Sequence, residues 1–455
     1  MSERSCRFAG TFFIADGDQL SAEVGAFLEA AARTGQAGEA AARAIVAPHA
    51  GYRFSGSLAG LSYGAVTWFP RRVVVLGPSH RHWFHGLAFP SQDKYSTPLG
   101  VLAIDRPACE ELAMAGLAHE ENAAHDNEHA IETQLPFIRK LWPDVQIVPL
   151  VFGDVSAGQA AAAIDALAGP DTLVVLSSDL SHFLTQNAAQ QKDTETARLL
   201  ENGAAEELTL YHACGAKCLQ GWLLSRAGQG TKTLRLGMGD SASATGDTSS
   251  VVGYGAWAFY PMDAAMLSSK SRAELLDVAR GAISRRLGAR PDEEPLPDAA
   301  SAPLQTFAAS FVTLTCGGEL RGCVGTLEAR RSLAEDVAAN ALGAGFRDPR
   351  FPPVTAGELR KIRIEITVLS RAQEIEFSSE EEAISRIDPG RDGLILSVGG
   401  HRATFLPKVW EGLREPHAFL ERLKRKAGLP RSYWAGNLSL HRFRVENFRE
   451  ALAVS

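Results

Sequence analysis

Three apolar runs of strand length in this chain end in the same chemical way. Ile45-Val46-Ala47 leads into Pro48-His49-Ala50-Gly51, Val73 to Leu76 into Gly77-Pro78-Ser79-His80, and Leu173 to Leu176 into Ser177-Ser178-Asp179-Leu180-Ser181-His182. Each strand delivers a histidine. In an open α/β sheet the loops at the carboxyl ends of the strands splay into a crevice on a rigid base, so parallel neighbours would converge these imidazoles. Neutral imidazole is a good ligand for Fe, Cu and Zn, and two histidines with one anionic ligand leave positions open for a substrate or dioxygen. A single histidine after a buried strand is more often a hydrogen-bonded core residue. Three at equivalent places point to a site. Asp179 either orients His182 or caps the helix that follows. His82 and His85 read as a solvated loop beside His80. The cluster His125, Asp126, Glu128 and His129 suits either helix capping or the rim of the cleft.

These residues need a scaffold, and the first half of the chain has the grammar of one. Strand-length runs at Ala44 to Ala47, Val73 to Leu76, Val145 to Phe152 and Thr172 to Leu176 alternate with helical patterns, which predicts an α/β fold with a mixed sheet covered by helices on both faces. Val24, Phe27, Leu28 and Ala31 have helical spacing after a Ser21 N-cap, with Gly35 as the stop, and Ile131, Leu135, Ile138 and Trp142 mark another amphipathic helix. The half closes with the apolar strand Val251 to Phe259 and Pro261. Residues 1–262 hold 18 Lys+Arg and 27 Asp+Glu, and residues 263–455 the other 28 and 26 of the chain's 46 and 53, so the boundary is placed at 262. A loop of Pro, Asp and Glu from Pro291 to Pro303 follows, as at a junction.

The second half reads as α+β with an antiparallel sheet. Ile362, Ile364, Ile366 and Val368 alternate with polar residues, Gly317-Gly318 and Gly399-Gly400 sit as hairpin turns, and Ser332 to Glu335 forms a capping box. Phe419, Leu420, Leu423 and Ala427 define a later helix closed by Gly428. Its basic stretch, Arg422 to Lys426, is an exposed helix face with a basic last turn. In Leu320-Arg321-Gly322-Cys323-Val324-Gly325-Thr326 a thiol stands between two glycines, with Arg321 placed to lower its pKa or bind an anion. The plainer reading makes Gly322 and Gly325 bulges and Cys323 a small packed side chain.

Composition narrows the classes. The 455 residues carry 45% hydrophobic and 22% charged side chains and a net charge of −7, which excludes fibrous and low-complexity proteins and gives no general reason to expect nucleic acid or an anionic membrane. No stretch approaches the roughly 18 apolar residues of a membrane span, and no signal peptide precedes the first strand, so a cytoplasmic protein is expected. Six cysteines in so long a chain are thiols rather than a disulfide framework.

Five motifs in order, APHAGYRFSG, LGPSH, HDNEHAIETQLPF, SSDLSHF and TGDTSSVVGY, resemble the Memo family over nearly all of residues 5–260. That family is similar to the class III extradiol dioxygenases, whose non-haem iron is held by two histidines and a glutamate. The resemblance implies a Memo ligand set of two histidines and a cysteine, here His49, His80 and Cys214, with Asp179 and His182 at the dioxygenase base position. Thiolate in place of carboxylate softens the site, so copper stands beside Fe(II) as the implied metal. After Cys214-Gly215 the Memo pattern continues with Arg, whereas this chain has Ala216-Lys217-Cys218. Cys218 is then an alternative ligand, a redox partner of Cys214, or a core residue.

LRGCVGT, FRDPRFPPV, IEITVLS and FLPKVW resemble the AMMECR family across about 270–450. Both domains in one chain resemble the A and B components of the AmmeMemoRadiSam system, which implies a radical SAM protein as a separate partner; this chain has no C-x3-C-x2-C signature of its own. The expectation is a metal-dependent, dioxygenase-like oxidoreductase with a His/His/Cys site, acting on an unidentified small molecule or peptide, without nucleic acid or membrane. Its rivals are a peptide-binding adaptor with a vestigial site and a thiol enzyme centred on Cys323 and Arg321.

Overall fold

The computed structural model describes residues 2–288 and 301–451. The loop expected from Pro291 to Pro303 lies, up to residue 300, outside the described residues. Two compact units divide the chain, one comprising residues up to Glu274 with a returning stretch that ends at Phe307, the other the remainder.

The first unit is built on a mixed sheet of 12 strands. Its centre is four parallel strands: β1 (Ala44–Ala47), β2 (Arg72–Pro78), β3 (Gln146–Phe152) and β4 (Thr172–Ser177), in the spatial order β3-β2-β4-β1. Register fixes their ends: Ala47 lies beside Ser177, and Leu76 beside Leu176. The strands read as unbroken apolar runs because nearly every residue in them is buried, as expected of a covered parallel sheet. β5 (Thr231–Asp240) and β6 (Val251–Pro261) extend the sheet antiparallel beyond β1. Helices Gly17–Thr34 and Tyr52–Gly64 pack closely because Gly56 and Gly60 lack side chains; a Cβ at Gly56 would stand 2.5 Å from the Phe27 ring.

Two local expectations are corrected. The first helix begins at Gly17, not near Ser21, because the Asp16 carboxylate accepts from the Gln19 amide at 2.9 Å and provides the cap; Gly35, at φ 61°, is the stop. The single helix over Ile131 to Trp142 is two pieces, His129–Glu132 and Leu135–Leu141, since Pro136 has no N–H to continue the ladder and opens the second piece instead.

The second unit holds two four-stranded antiparallel sheets. In one, β7 (Ser310–Cys316), β8 (Glu319–Gly325), β9 (Ile362–Leu369) and a C-terminal strand Val445–Arg449 run in the order β8-β7-β9-C-terminal strand. Gly317 (φ 60°) and Gly318 (φ 90°) make the hairpin turn that only glycine takes without strain. Ile362, Ile364, Ile366 and Val368 are buried while Arg363 and Glu365 between them are partly exposed, as their alternation predicts; Thr367, at the end of the pattern, is buried. Ser332 and Glu335 close the capping box of helix Leu333–Phe346, and Gly322 lets that helix approach β8, since a Cβ there would collide with the Ala344 carbonyl oxygen. Among the described residues no helix is long and apolar enough to cross a membrane.

Gly322→Ala should therefore destabilise the second unit by about 1–3 kcal/mol through overpacking against backbone. Urea unfolding of the full chain, with fluorescence and circular dichroism followed separately, checks it; an unchanged midpoint would show that the helix is not pressed against β8.

Candidate metal centre

The carboxyl ends of β1 and β2 bring His49 and His80 together, β4 runs on into Asp179, and the helix His129–Glu132 delivers a further side chain, while His182, the histidine expected after β4, is not in the group whose ligand atoms meet. The ligand atoms of His49, His80 and His129 lie within 4.8 Å of one another. His80 and His129 stack, with ring centroids 4.6 Å apart, and His49 meets both edge-on at 5.1 and 5.3 Å.

Hydrogen bonding sets the tautomers. Ser177 Oγ donates its one proton to the Ala130 carbonyl at 2.7 Å, so it can only accept from His49 Nδ1, 2.9 Å away. His49 Nε2 is then left with its lone pair, 3.3 Å from Cys214 Sγ. Glu128 does the same for His80: its carboxylate accepts from the His80 amide at 2.6 Å and from Nδ1 at 2.8 Å, while also capping its own helix through the Ala130 amide at 2.9 Å. Burial alone would raise Glu128, but the His80 and Ala130 hydrogen bonds hold it down to about 2. Carboxylate-to-imidazole pairing of this kind orients metal-binding histidines. His129 Nδ1 lies 3.3 Å from the same carboxylate without forming a hydrogen bond.

Burial followed by repulsion from His80 takes the His49 imidazole down to about 3, and burial followed by repulsion from His49 takes His129 down to about 4. Both are neutral at pH 7 and have lone pairs to give. Together with His80, whose Nδ1 is held by Glu128, they fit a borderline metal such as Fe, Cu or Zn.

Cys214 follows a different route into the site. Its Sγ accepts from the Asp179 amide at 3.3 Å, and Gly215 passes so close to Ser178 that a Cβ would collide with it. Burial and the neighbouring Asp179 charge push the thiol well above its ordinary value, so without a cation it is protonated. Among the described residues it is not part of the histidine group that could share an ion, although it touches His49. Asp179 Oδ1 accepts from the His49 amide at 2.8 Å, and its Oδ2 lies 3.9 Å from His49 Nε2; burial raises this carboxyl. His182 opens the short strand His182–Leu184, is half-buried, and is near enough for its charge to act on both His49 and Asp179.

The remaining candidates separate. His125 is fully hydrogen-bonded in the core, to Tyr95 Oη at 2.8 Å and the Ala88 carbonyl at 3.0 Å. His85, on its exposed loop, pairs with Asp154. Cys218 is wholly buried and donates to the Gly215 carbonyl at 2.9 Å, the contact of a packed thiol. Cys323 and Arg321 belong to the second unit. The register of β8 against β7 shifts at Arg321, whose guanidinium is engaged by Glu358 at 2.8 Å, and Cys323 Sγ accepts from Thr313 Oγ1 at 3.3 Å. His129 is the site residue that the spacing did not single out; the acid beside it, Glu128, was the available signal.

A segment near the N-terminus walls the cluster. Glu132, fully buried, binds Arg4 and accepts from the Arg7 and Phe8 amides at 2.8 and 2.7 Å. The segment so anchored sets Phe12 against the His129 ring at 4.5 Å.

A mixed α/β sheet with a histidine cluster at its carboxyl strand ends defines the class. The chain belongs to the Memo-like family, whose sequence model matches residues 4–258, and residues 276–448 match the AMMECR1 family. A MEMO1 family protein of Methanobrevibacter smithii is 34% identical over 232 residues, covering 47% of this chain and 82% of the relative. One from Methanopyrus kandleri is 30% identical over 279 residues, 56% of this chain and 99% of the relative. Protein MEMO1 of Xenopus laevis is 38% identical over 197 residues, 40% of this chain, and this chain spans 65% of its length.

Because His49, His125 and His129 titrate near 3, 3 and 4 when folded and near 6.5 when unfolded, the unfolded chain binds more protons between those limits. Stability is then full above pH 6.5 and falls toward pH 4, by up to about 1.4 kcal/mol per pH unit for each histidine. Urea midpoints of chelator-treated protein at pH 7, 6 and 5 measure it; a flat profile would contradict buried neutral imidazoles.

Proposed function

We propose that the first unit is a metal-dependent oxidoreductase of dioxygenase-like design, binding Fe(II) or copper through His49, His80 and the Cys214 thiolate. The observation that supports it is the convergence of His49, His80 and His129 on one point, where His49 is buried, His129 half-buried and His80 exposed, with Cys214 Sγ 3.3 Å from the His49 lone pair. A bound ion would supply one-electron chemistry and a Lewis-acid position for an electron-rich substrate. His49 and His80 offer Nε2 because Ser177 and Glu128 hold their Nδ1 protons. His182, half-buried, moves protons between the site and water, and Asp179 holds the Cys214 loop and the His49 backbone in place. His129 is a third imidazole available to the ion, and Phe8 and Phe12 shield it from solvent. The substrate is a small molecule or peptide. A radical SAM protein of the same system is the proposed partner, a reading supported by the union of Memo-like and AMMECR1 domains in one chain.

Mass spectrometry of anaerobically purified protein should find about one Fe or Cu per chain, and His49→Ala with His80→Ala should abolish it. Cys214→Ser should weaken copper retention roughly tenfold or more if the thiolate is a ligand, whereas His129→Ala should do so if the third imidazole is. Wild-type protein that stays empty after reconstitution with Fe(II) and Cu(I) would leave a peptide-binding cleft as the function.

A further inference from the structure

At the opposite end of the same strands lies a cavity of about 400 Å³. Arg43 immediately precedes β1 and Thr172 opens β4, so this cavity sits at the amino ends of the parallel strands, while the histidine cluster follows their carboxyl ends. Strands of four to seven residues put the two roughly 15–20 Å apart. The volume falls within the range of small-molecule pockets.

Its lining has a consistent chemical character. Pro170, Val174, Ala227 and Pro261 give apolar walls, Arg43 brings the one charged group, and no acid lines the cavity. Arg43 is held in place by donating to the Pro170 carbonyl at 2.7 Å. Trp222, only 1% exposed, also lines it, and its indole N–H is buried without a hydrogen-bond partner. Burying an indole donor unpaired costs about 1–3 kcal/mol, and buried tryptophan N–H groups ordinarily find acceptors. This N–H is sealed within the wall, so the polar group that the cavity offers a ligand is the Arg43 guanidinium.

We infer that this cavity binds an apolar carboxylate, its ring or chain against Val174 and Ala227 and its carboxylate on the Arg43 guanidinium, with Trp222 in the wall beside it. The inference does not depend on the metal-site reading. Trp222 stands on helix Ala216–Leu224, which begins two residues after Cys214, so a ligand here would bear on the same helix that leaves the metal centre.

The test uses the full chain and 2-naphthoate. Seven tryptophans give at most seven indole N–H resonances in ¹⁵N-labelled protein, and Trp222→Phe, which keeps an aromatic ring, identifies the relevant one. Naphthoate should shift that resonance saturably, with Kd at or below about 1 mM. Arg43→Gln, a change at a partly exposed side chain, should weaken binding about tenfold, and neutral 2-naphthamide should bind correspondingly less well. A Trp222 resonance that naphthoate does not move would mean that water occupies the cavity and would overturn the proposal. Equal shifts from acid and amide, unchanged in Arg43→Gln, would overturn the assignment of an anion.

Discussion

The first unit depends on a problem of proton accommodation. A buried imidazole such as His49 cannot be charged, and a ring fixed in one orientation hands its N–H to an acceptor that is itself committed. Ser177 meets this for His49 by spending its own hydrogen on the Ala130 carbonyl, and Glu128 meets it for His80. Both acceptors come from elements that already had structural tasks, since Ser177 ends β4 and Glu128 caps a helix. The capping geometry and the orientation of the imidazoles are therefore one arrangement, and neither can shift without the other.

Much of this was legible in the residues. β1 to β4 are so apolar that their limits could be read almost to the residue, and the histidine at the end of β1 and of β2 followed directly. The second unit showed its alternation and its turns equally well, because a sheet with one face wetter than the other writes a period of two into the chain. What escaped was set by short-range competition. Asp16 outbid Ser21 as a cap, and Pro136 split a helix whose apolar spacing ran straight through it.

His129 escaped for a different reason. It and His125 stand four residues apart in one polar run, yet one faces the cluster and the other is spent on Tyr95 and Ala88. Only the placement of the helix start by Glu128 separates them, and that placement depends on His80, 48 residues away. The second unit has a parallel case: Gly322 and Gly325 beside Cys323 suggested room for a ligand, but the room at Gly322 is filled by the Ala344 backbone and that at Gly325 by the Phe311 ring.

The contacts of the cluster are widely separated along the chain: His49 meets Ser177 across 128 residues and Cys214 across 165. In a zinc finger, closely spaced ligands let the metal nucleate its own fold. Here the order must be reversed, because His49 and Cys214 come together only after the long-range parallel pairing of β1, β2 and β4 has been completed, the slow kind of step in folding. A growing chain on the ribosome thus carries no assembled histidine cluster until β4, which ends at Ser177, has emerged and the sheet has closed behind it. On the proposed reading metal loading would be a late event, and an occupied centre would certify a finished domain.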